Sequence, residues 1–109
     1  MAVTETLVQS VGALPITANF NAEGDGPVTF FVAGSGWAGD AQQIGMDVLL
    51  DGESIGVCVG FTNEAVSHKT FVPIFLPVNL SSGPHTLTLA PLSGTVTDTN
   101  DNFNVTLFY

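Results

Sequence analysis

Hydrophobic and polar residues alternate with a period of two along most of the chain, which is the pattern of half-buried β-strands. No window of about 11 residues keeps an apolar stripe at helical spacing, so the pattern predicts an all-β protein. The predicted strands are Thr4–Gln9, Leu14–Phe20, Pro27–Ala33, Ile44–Asp51, Ser54–Phe61, Lys69–Leu80, Pro84–Ala90 and Asn102–Tyr109. Eight short strands in 109 residues favour a single antiparallel β-sandwich domain over residues 1–109, most simply a jelly roll.

The alternation also predicts which side chains face the core. Met46, Val48 and Leu50 share one face of the strand that leads into Asp51-Gly52, a dipeptide typical of tight hairpins. On the next strand we expect the large apolar side chains to face the core: Ile55, Val57, Val59 and Phe61. The opposite face carries only small residues, and a neighbouring backbone or subunit can approach it closely. These small residues are Gly56, Cys58 and Gly60.

The segment Lys69–Leu80 is apolar on both faces. One face is formed by Phe71, Pro73, Phe75 and Pro77, and the other by Val72, Ile74, Leu76 and Val78. The two prolines place this segment at a sheet edge or a bulge, where a missing N–H is harmless. An apolar edge strand needs cover, from a loop of the same chain or from a second subunit. The second case predicts a homo-oligomer.

The charge balance excludes several functions. The chain has one Lys, no Arg and ten acidic residues, for a net charge of −9. Nucleic acids are excluded as partners, because affinity for phosphates depends on Lys and Arg. No apolar run is long enough for membrane insertion, and no signal peptide is visible, so a cytoplasmic location and a signal-less export route both stay open. The single Cys58 cannot form an intramolecular disulfide, and we expect it to be structural.

Signatures of catalysis are missing from the sequence. Residues 34–39 match the spacing of a dinucleotide-binding glycine motif, but only four residues separate them from the next strand, where that motif requires a helix. Neither His68 nor His85 lies in a recognisable nucleophile signature. We therefore expect a protein that is not an enzyme.

The richest group of polar side chains lies just before the last strand. Asp98, Asn100, Asp101 and Asn102 place oxygen atoms in one short loop, and calcium takes six to eight oxygen ligands. The loop is not an EF-hand, because Phe103 stands where that motif needs Gly. The alternative is a polar turn whose Asp and Asn side chains bond to their own backbone.

A second group of candidate ligand-binding residues lies in the loops that precede and follow the central hairpin. Trp37 follows a Gly-rich stretch that also carries Asp40, and an indole can stack on a sugar ring, although a lone Trp is more often part of the core. His68 can donate a hydrogen bond to a ligand, or it is simply solvated. With Asn100, these residues are the predicted ligand-binding set.

Two patches resemble the small calcium-dependent galactose-binding bacterial lectins, which are jelly-roll proteins. Residues 26–38 (GPVTFFVAGSGWA) are similar to that family's strand and Gly-Trp-Ala turn, and residues 94–106 (GTVTDTNDNFNVT) to its C-terminal calcium loop and last strand. The resemblance implies that one calcium ion bridges the two loops, with Asp40 as a ligand from the first, and Thr95 and Asp98 from the second. Pro91 stands where the family has another Asp ligand, and Asn100, Asp101 and Asn102 are the candidates to replace it.

Residues 48–52 (VLLDG) and 82–89 (SGPHTLTL) resemble a strand pair of galactose-binding-fold carbohydrate-binding modules. Both resemblances imply a lectin-like domain that binds carbohydrate, with calcium as the possible cofactor. The alternative is a structural module, such as a capsid, fibre or surface subunit, that uses the same fold to form homo-oligomeric interfaces.

Overall fold

The structure is a computed structural model that describes residues 4–109. It contains ten strands and no helix in that range, which confirms the predicted all-β sandwich. The strands are Thr4–Val11 (β1), Ile16–Ala22 (β2), Gly26–Ala33 (β3), Ser35–Gly36 (β4), Gln42–Leu50 (β5), Glu53–Thr62 (β6), Lys69–Thr70 (β7), Ile74–Leu80 (β8), Gly83–Pro91 (β9) and Asn102–Phe108 (β10). No helix in this part of the chain is long and apolar enough to cross a membrane.

Two antiparallel four-stranded sheets pack together. Sheet A has the strand order β1-β10-β3-β8, and sheet B has the order β2-β9-β5-β6. The short strands β4 and β7 form a separate two-stranded ribbon. Fully buried side chains from both sheets, among them Phe30, Val32, Met46, Leu87 and Leu107, form the core.

The hairpin between β5 and β6 has the predicted turn. Asp51 and Gly52 both adopt positive φ angles, of 51° and 88°, as a tight hairpin of the Asp-Gly type requires. Met46 and Val48 are fully buried, and Leu50 packs against the core. This confirms the predicted core face of β5.

Ile55 packs against the core as predicted, but from Val57 onwards strand β6 turns the opposite face to the core from the one predicted. Cys58 is fully buried, whereas Val57 is 43% exposed and Phe61 is 59% exposed. The cause is a bulge that the alternation does not reveal. Gly56 pairs with Val48 and Ser54 pairs with Leu49, so Ile55 is skipped in the register and every later residue of β6 changes face.

Other parts of the same chain approach the small residues of β6 closely, as expected. A Cβ atom on Gly56 would lie 2.5 Å from Leu76 Cδ2, and one on Gly60 would lie 3.0 Å from the Thr70 carbonyl oxygen. The Cys58 sulfhydryl lies 3.0 Å from the Val72 carbonyl oxygen, and burial raises the pKa of the thiol to about 11. Cys58 is therefore a structural residue, as predicted.

The predicted strand Lys69–Leu80 is two strands. Residues 71–73 interrupt it, and Phe71 turns into the core, where it is fully buried, while Phe75 is 65% exposed. The two phenylalanines therefore do not share a face, because the alternation is lost at the interruption. β8 is an edge strand of sheet A, as the two prolines of the predicted segment indicate, although only Pro77 lies within β8.

Replacing Gly60 with Ala should lower the free energy of unfolding by about 1–3 kcal/mol, because the added methyl group meets the backbone of β7. Chemical denaturation measures this loss. Gly24→Ala is the matched control, since nothing lies within 4 Å of the added atom, and its stability should be unchanged or slightly higher. Equal stability of the two variants would contradict the packing described for β6.

Candidate functional site

The ribbon of β4 and β7 brings distant loops together at one end of the sandwich. Ser35 pairs with Thr70, and the Phe71 N–H donates to the Gly34 carbonyl at 2.8 Å. Trp37 then bridges to Val96 through two backbone hydrogen bonds of 2.9 and 2.8 Å. As a result, the loops that carry Trp37, His68 and Asp98 lie side by side.

Asp101 is the centre of this loop cluster and is fully buried. Its Oδ1 accepts a hydrogen bond from Ser35 Oγ at 2.8 Å and lies 2.8 Å from His68 Nδ1. Its Oδ2 accepts from the Asp98 N–H at 2.9 Å. A buried carboxylate is strongly destabilising unless it is paired and hydrogen-bonded, so these donors are what allow Asp101 to lie inside the protein.

Asp98 connects the cluster to Trp37. Its Oδ2 accepts from the indole Nε1–H at 3.2 Å and lies 3.7 Å from His68 Nε2. Its Oδ1 accepts from the Asn100 N–H at 2.8 Å, and the Asp101 N–H donates to the Asp98 carbonyl at 3.0 Å. Residues 98–101 therefore form a polar turn of the kind weighed against the calcium loop.

His68 is the one imidazole in the described loop cluster. Its ring lies 6.1 Å from the Trp37 ring, tilted by 51°. The hydrogen bond to Asp101 raises the pKa of His68 above its ordinary value of 6.5, and the charges of Asp101 and Asp98 act in the same direction, against partial desolvation. The pairing therefore stabilises the fold most below pH 6.5 and loses this effect as the pH rises through the folded-state pKa.

The structure gathers part of the predicted site. Trp37, His68, Asp98 and Asp101 come together. Asp40 is exposed, accepts a hydrogen bond from Gln42 and lies outside this group. Asn100 and Asn102 are exposed next to the loop cluster. Their contacts in the network are made by backbone N–H groups, which donate to Asp98 and to Ser35.

His68, Asp98 and Asp101 each offer one ligand atom, and these three atoms lie within 4.8 Å of one another. This group could therefore hold a metal ion. Each of the four carboxylate oxygens already accepts a hydrogen bond. Calcium also requires six to eight oxygen ligands, and an imidazole nitrogen suits other metals better. This group of three ligand atoms therefore does not by itself identify calcium as the ion.

A cleft of about 520 Å³ opens beside the loop cluster, at the end of sheet A. This volume is within the range of small-molecule sites. Its walls are rich in uncharged polar side chains, which can donate and accept hydrogen bonds. They include Gln9, Ser10, Ser35, Thr70, Asn102 and Asn104. Of these side chains, only Asn102 is predicted from the sequence to take part in a site, and only as a metal ligand.

The sequence holds a weak signal for the cleft. Asn102 and Asn104 alternate with the buried Phe103 and Val105, which places both amides on the outer side of β10. What the sequence does not reveal is that Gln9 pairs with Asn104, because this depends on the long-range pairing of β1 with β10.

A second, smaller cleft of about 250 Å³ surrounds His85. His85 Nδ1 lies 2.6 Å from Asp51 Oδ2, and its Nε2 lies 2.7 Å from the Ser81 carbonyl oxygen. The Ser81 and Asp51 contacts raise the pKa of His85, and the same pairing lowers the pKa of Asp51. His85 thus holds the turn of the β5–β6 hairpin through Asp51, and its ring stacks on Phe20.

Comparisons with known proteins find solved structures that share the fold of this chain at low sequence identity. No family model and no curated protein sequence matches the chain. A family 35 carbohydrate-binding module from Clostridium thermocellum matches with a TM-score of 0.58 at 12% identity, over 97% of this chain and 90% of that chain. A β-glucosidase from Paenibacillus barengoltzii matches with a TM-score of 0.55 at 17% identity, over all of this chain and 10% of that chain.

Eiger TNF from S. frugiperda matches with a TM-score of 0.62 at 10% identity, over 98% of this chain and 83% of that chain. A CBM36-1 domain and a sugar-binding domain of EclA share the architecture as well. The chain thus has the β-sandwich of carbohydrate-binding modules and spans about a tenth of the β-glucosidase. At these identities the likeness shows the fold alone.

Replacing Asp101 with Asn should lower the free energy of unfolding by about 1–3 kcal/mol, because an amide cannot accept from all the donors that now surround the carboxylate. The pKa of His68, followed by NMR, should fall towards 6.5. The stability gap to the unmodified protein should narrow as the pH rises through the pKa of His68. Asp40→Asn, which changes an exposed carboxylate, is the control and should leave both quantities unchanged.

Proposed function

We propose that this chain is a non-catalytic domain that binds carbohydrate in the 520 Å³ cleft at the end of sheet A. The observation that carries the proposal is the chemistry of the cleft wall, where six of the ten lining residues carry an amide or hydroxyl side chain beside apolar ones. Sugar hydroxyls both donate and accept hydrogen bonds, and these side chains match them in both roles.

The network behind the cleft gives its wall a fixed shape. Ser35 Oγ donates to the buried Asp101 and accepts from the Asn102 N–H at 3.2 Å, so two cleft residues are held by one carboxylate. In this proposal Trp37, His68 and Asp98 position the wall, and Asn102, Asn104 and Gln9 contact the sugar. Because these side chains are already ordered, less conformational entropy is lost when a ligand binds.

Structural likeness supports a binding role. The match to the family 35 module covers nearly the whole of both chains, whereas the match to the β-glucosidase covers a tenth of that enzyme. The geometry of Ser35 also favours a non-catalytic role. Its hydroxyl donates to Asp101 and not to the imidazole of His68, so His68 is not placed to remove its proton.

The test is a binding screen against neutral polysaccharides, with soluble β-glucan, xylan and galactan as probes, followed by calorimetry of the best ligand. Asn102→Ala and Asn104→Ala should each weaken binding about five- to tenfold, the effect of losing about one hydrogen bond. Asn63→Ala is the matched control, because Asn63 is exposed and is not part of the cleft wall, and its affinity should be unchanged.

Two results would contradict the cleft as the binding site. One is the absence of binding to every probe. The other is binding that the two cleft variants leave intact while the intrinsic fluorescence of Trp37 changes. That result would favour the predicted stacking of a sugar on Trp37.

The proposed binding of carbohydrate does not require calcium. Because His68, Asp98 and Asp101 together offer far fewer oxygen ligands than calcium takes, we expect millimolar calcium to leave the melting temperature of chelator-stripped protein unchanged. A micromolar calcium site would instead add about 4 kcal/mol to the free energy of unfolding under these conditions. An increase of that size, lost in Asp98→Asn, would support the calcium site that the sequence predicts.

A further inference from the structure

The outer surface of sheet A is a continuous face whose composition follows from the strand register. Residues that pair across antiparallel strands point to the same side of a sheet. Phe30, Val32, Val105 and Leu107 are fully buried, so the rows between them point outwards. The outward rows are Thr4–Phe108–Thr29–Pro77, Thr6–Thr106–Phe31–Phe75, Gln9–Asn104–Ala33, Val11–Asn102 and Pro27–Asn79.

This outer face carries no ionisable side chain in any of the rows just given, although the chain contains ten acidic residues. The outer side of sheet B differs, because Asp47 pairs there with the exposed Val57. The outer face of sheet A therefore lacks the groups that would recognise a charged partner. It offers amides, hydroxyls and aromatic rings, which suit a neutral polyol with apolar C–H surfaces.

Two aromatic rings lie close to the cleft on this outer face. Phe31 and Phe75 are paired across β3 and β8, with ring centroids 5.3 Å apart and planes tilted by 56°. Phe75 is 65% exposed. Their row passes through Thr106, which follows the cleft residue Asn104 by two positions on β10, a spacing of about 7 Å along the strand. The aromatic pair and the cleft are thus neighbours on one surface.

We propose that the outer face of sheet A binds an extended neutral glycan chain, with one sugar unit in the cleft and following units over Phe31 and Phe75. This inference rests on the proposed function and makes it more specific, since it names a polymer of several units as the ligand. Continuity with the cleft favours a glycan as the occupant of the exposed aromatic pair over a second copy of the chain.

Chain-length dependence tests the proposal. Affinities would be measured by calorimetry for glucan and xylan oligosaccharides of one to six units. Affinity should rise at least tenfold from the shortest ligand that binds to the longest one. Phe75→Ala should weaken the binding of long ligands about three- to tenfold. It should leave the affinity for the shortest ligand unchanged, because that ligand occupies only the cleft. Phe61→Ala is the matched control, because Phe61 is 59% exposed on β6 of the other sheet, and it should bind like the unmodified protein.

The outcomes separate this inference from the proposed function. If short and long ligands bind with equal affinity, or if Phe75→Ala and Phe61→Ala behave alike, the extended site is wrong and the cleft remains a sugar site. If no saccharide of any length binds, the proposed function is overturned as well. Sedimentation of the unmodified protein as a dimer and of Phe75→Ala as a monomer would assign the aromatic pair to a subunit interface and overturn the inference.

Discussion

The buried carboxylate of Asp101 is the constraint on which the arrangement of the loops at one end of the sandwich depends. It must find donors because it is cut off from solvent, and it finds them in three separate parts of the chain: Ser35, His68 and the Asp98 backbone. Satisfying one charge therefore fixes the ribbon, the loop before it and the turn before β10 together. The same bonds set the wall of the cleft, so the stability of the loop end and the shape of the cleft have one physical origin.

Much of the fold follows from local pattern, and the exceptions have local causes. The period-two alternation predicts the sheet strands and the buried face of β5, because these strands are half-buried and mostly regular. It fails on β6, where skipping Ile55 in the register reverses the faces, and at residues 71–73, where Phe71 enters the core between two strands. This bulge leaves no mark in the alternation, since the large apolar residues keep a spacing of two from Ile55 to Phe61.

The candidate site could be predicted only in part, for a related reason. Asp98, Asp101, His68 and Trp37 stand out in the sequence as residues with useful chemistry. Their arrangement depends on β4 and β7, which have two residues each and are too short to have a period. The choice between a calcium loop and a hydrogen-bonded turn likewise depends on donors that arrive from elsewhere, such as the indole N–H of Trp37. The cleft needs the pairing of β1 with β10, which joins opposite ends of the chain.

The distribution of charge says more than the fold does about which ligands the protein can bind. Carbohydrate-binding modules and a TNF protein share this sandwich, so the architecture is compatible with unrelated roles. A net charge of −9 on a chain of this size repels polyanions at distances up to the screening length of about 8 Å. The same charge has no such effect on a neutral ligand, and sheet A presents to that ligand a face without ionisable groups. Affinity on such a face must come from hydrogen bonds and aromatic contacts, which are individually weak. A polymer that makes several of them at once is therefore the ligand that the surface suits best.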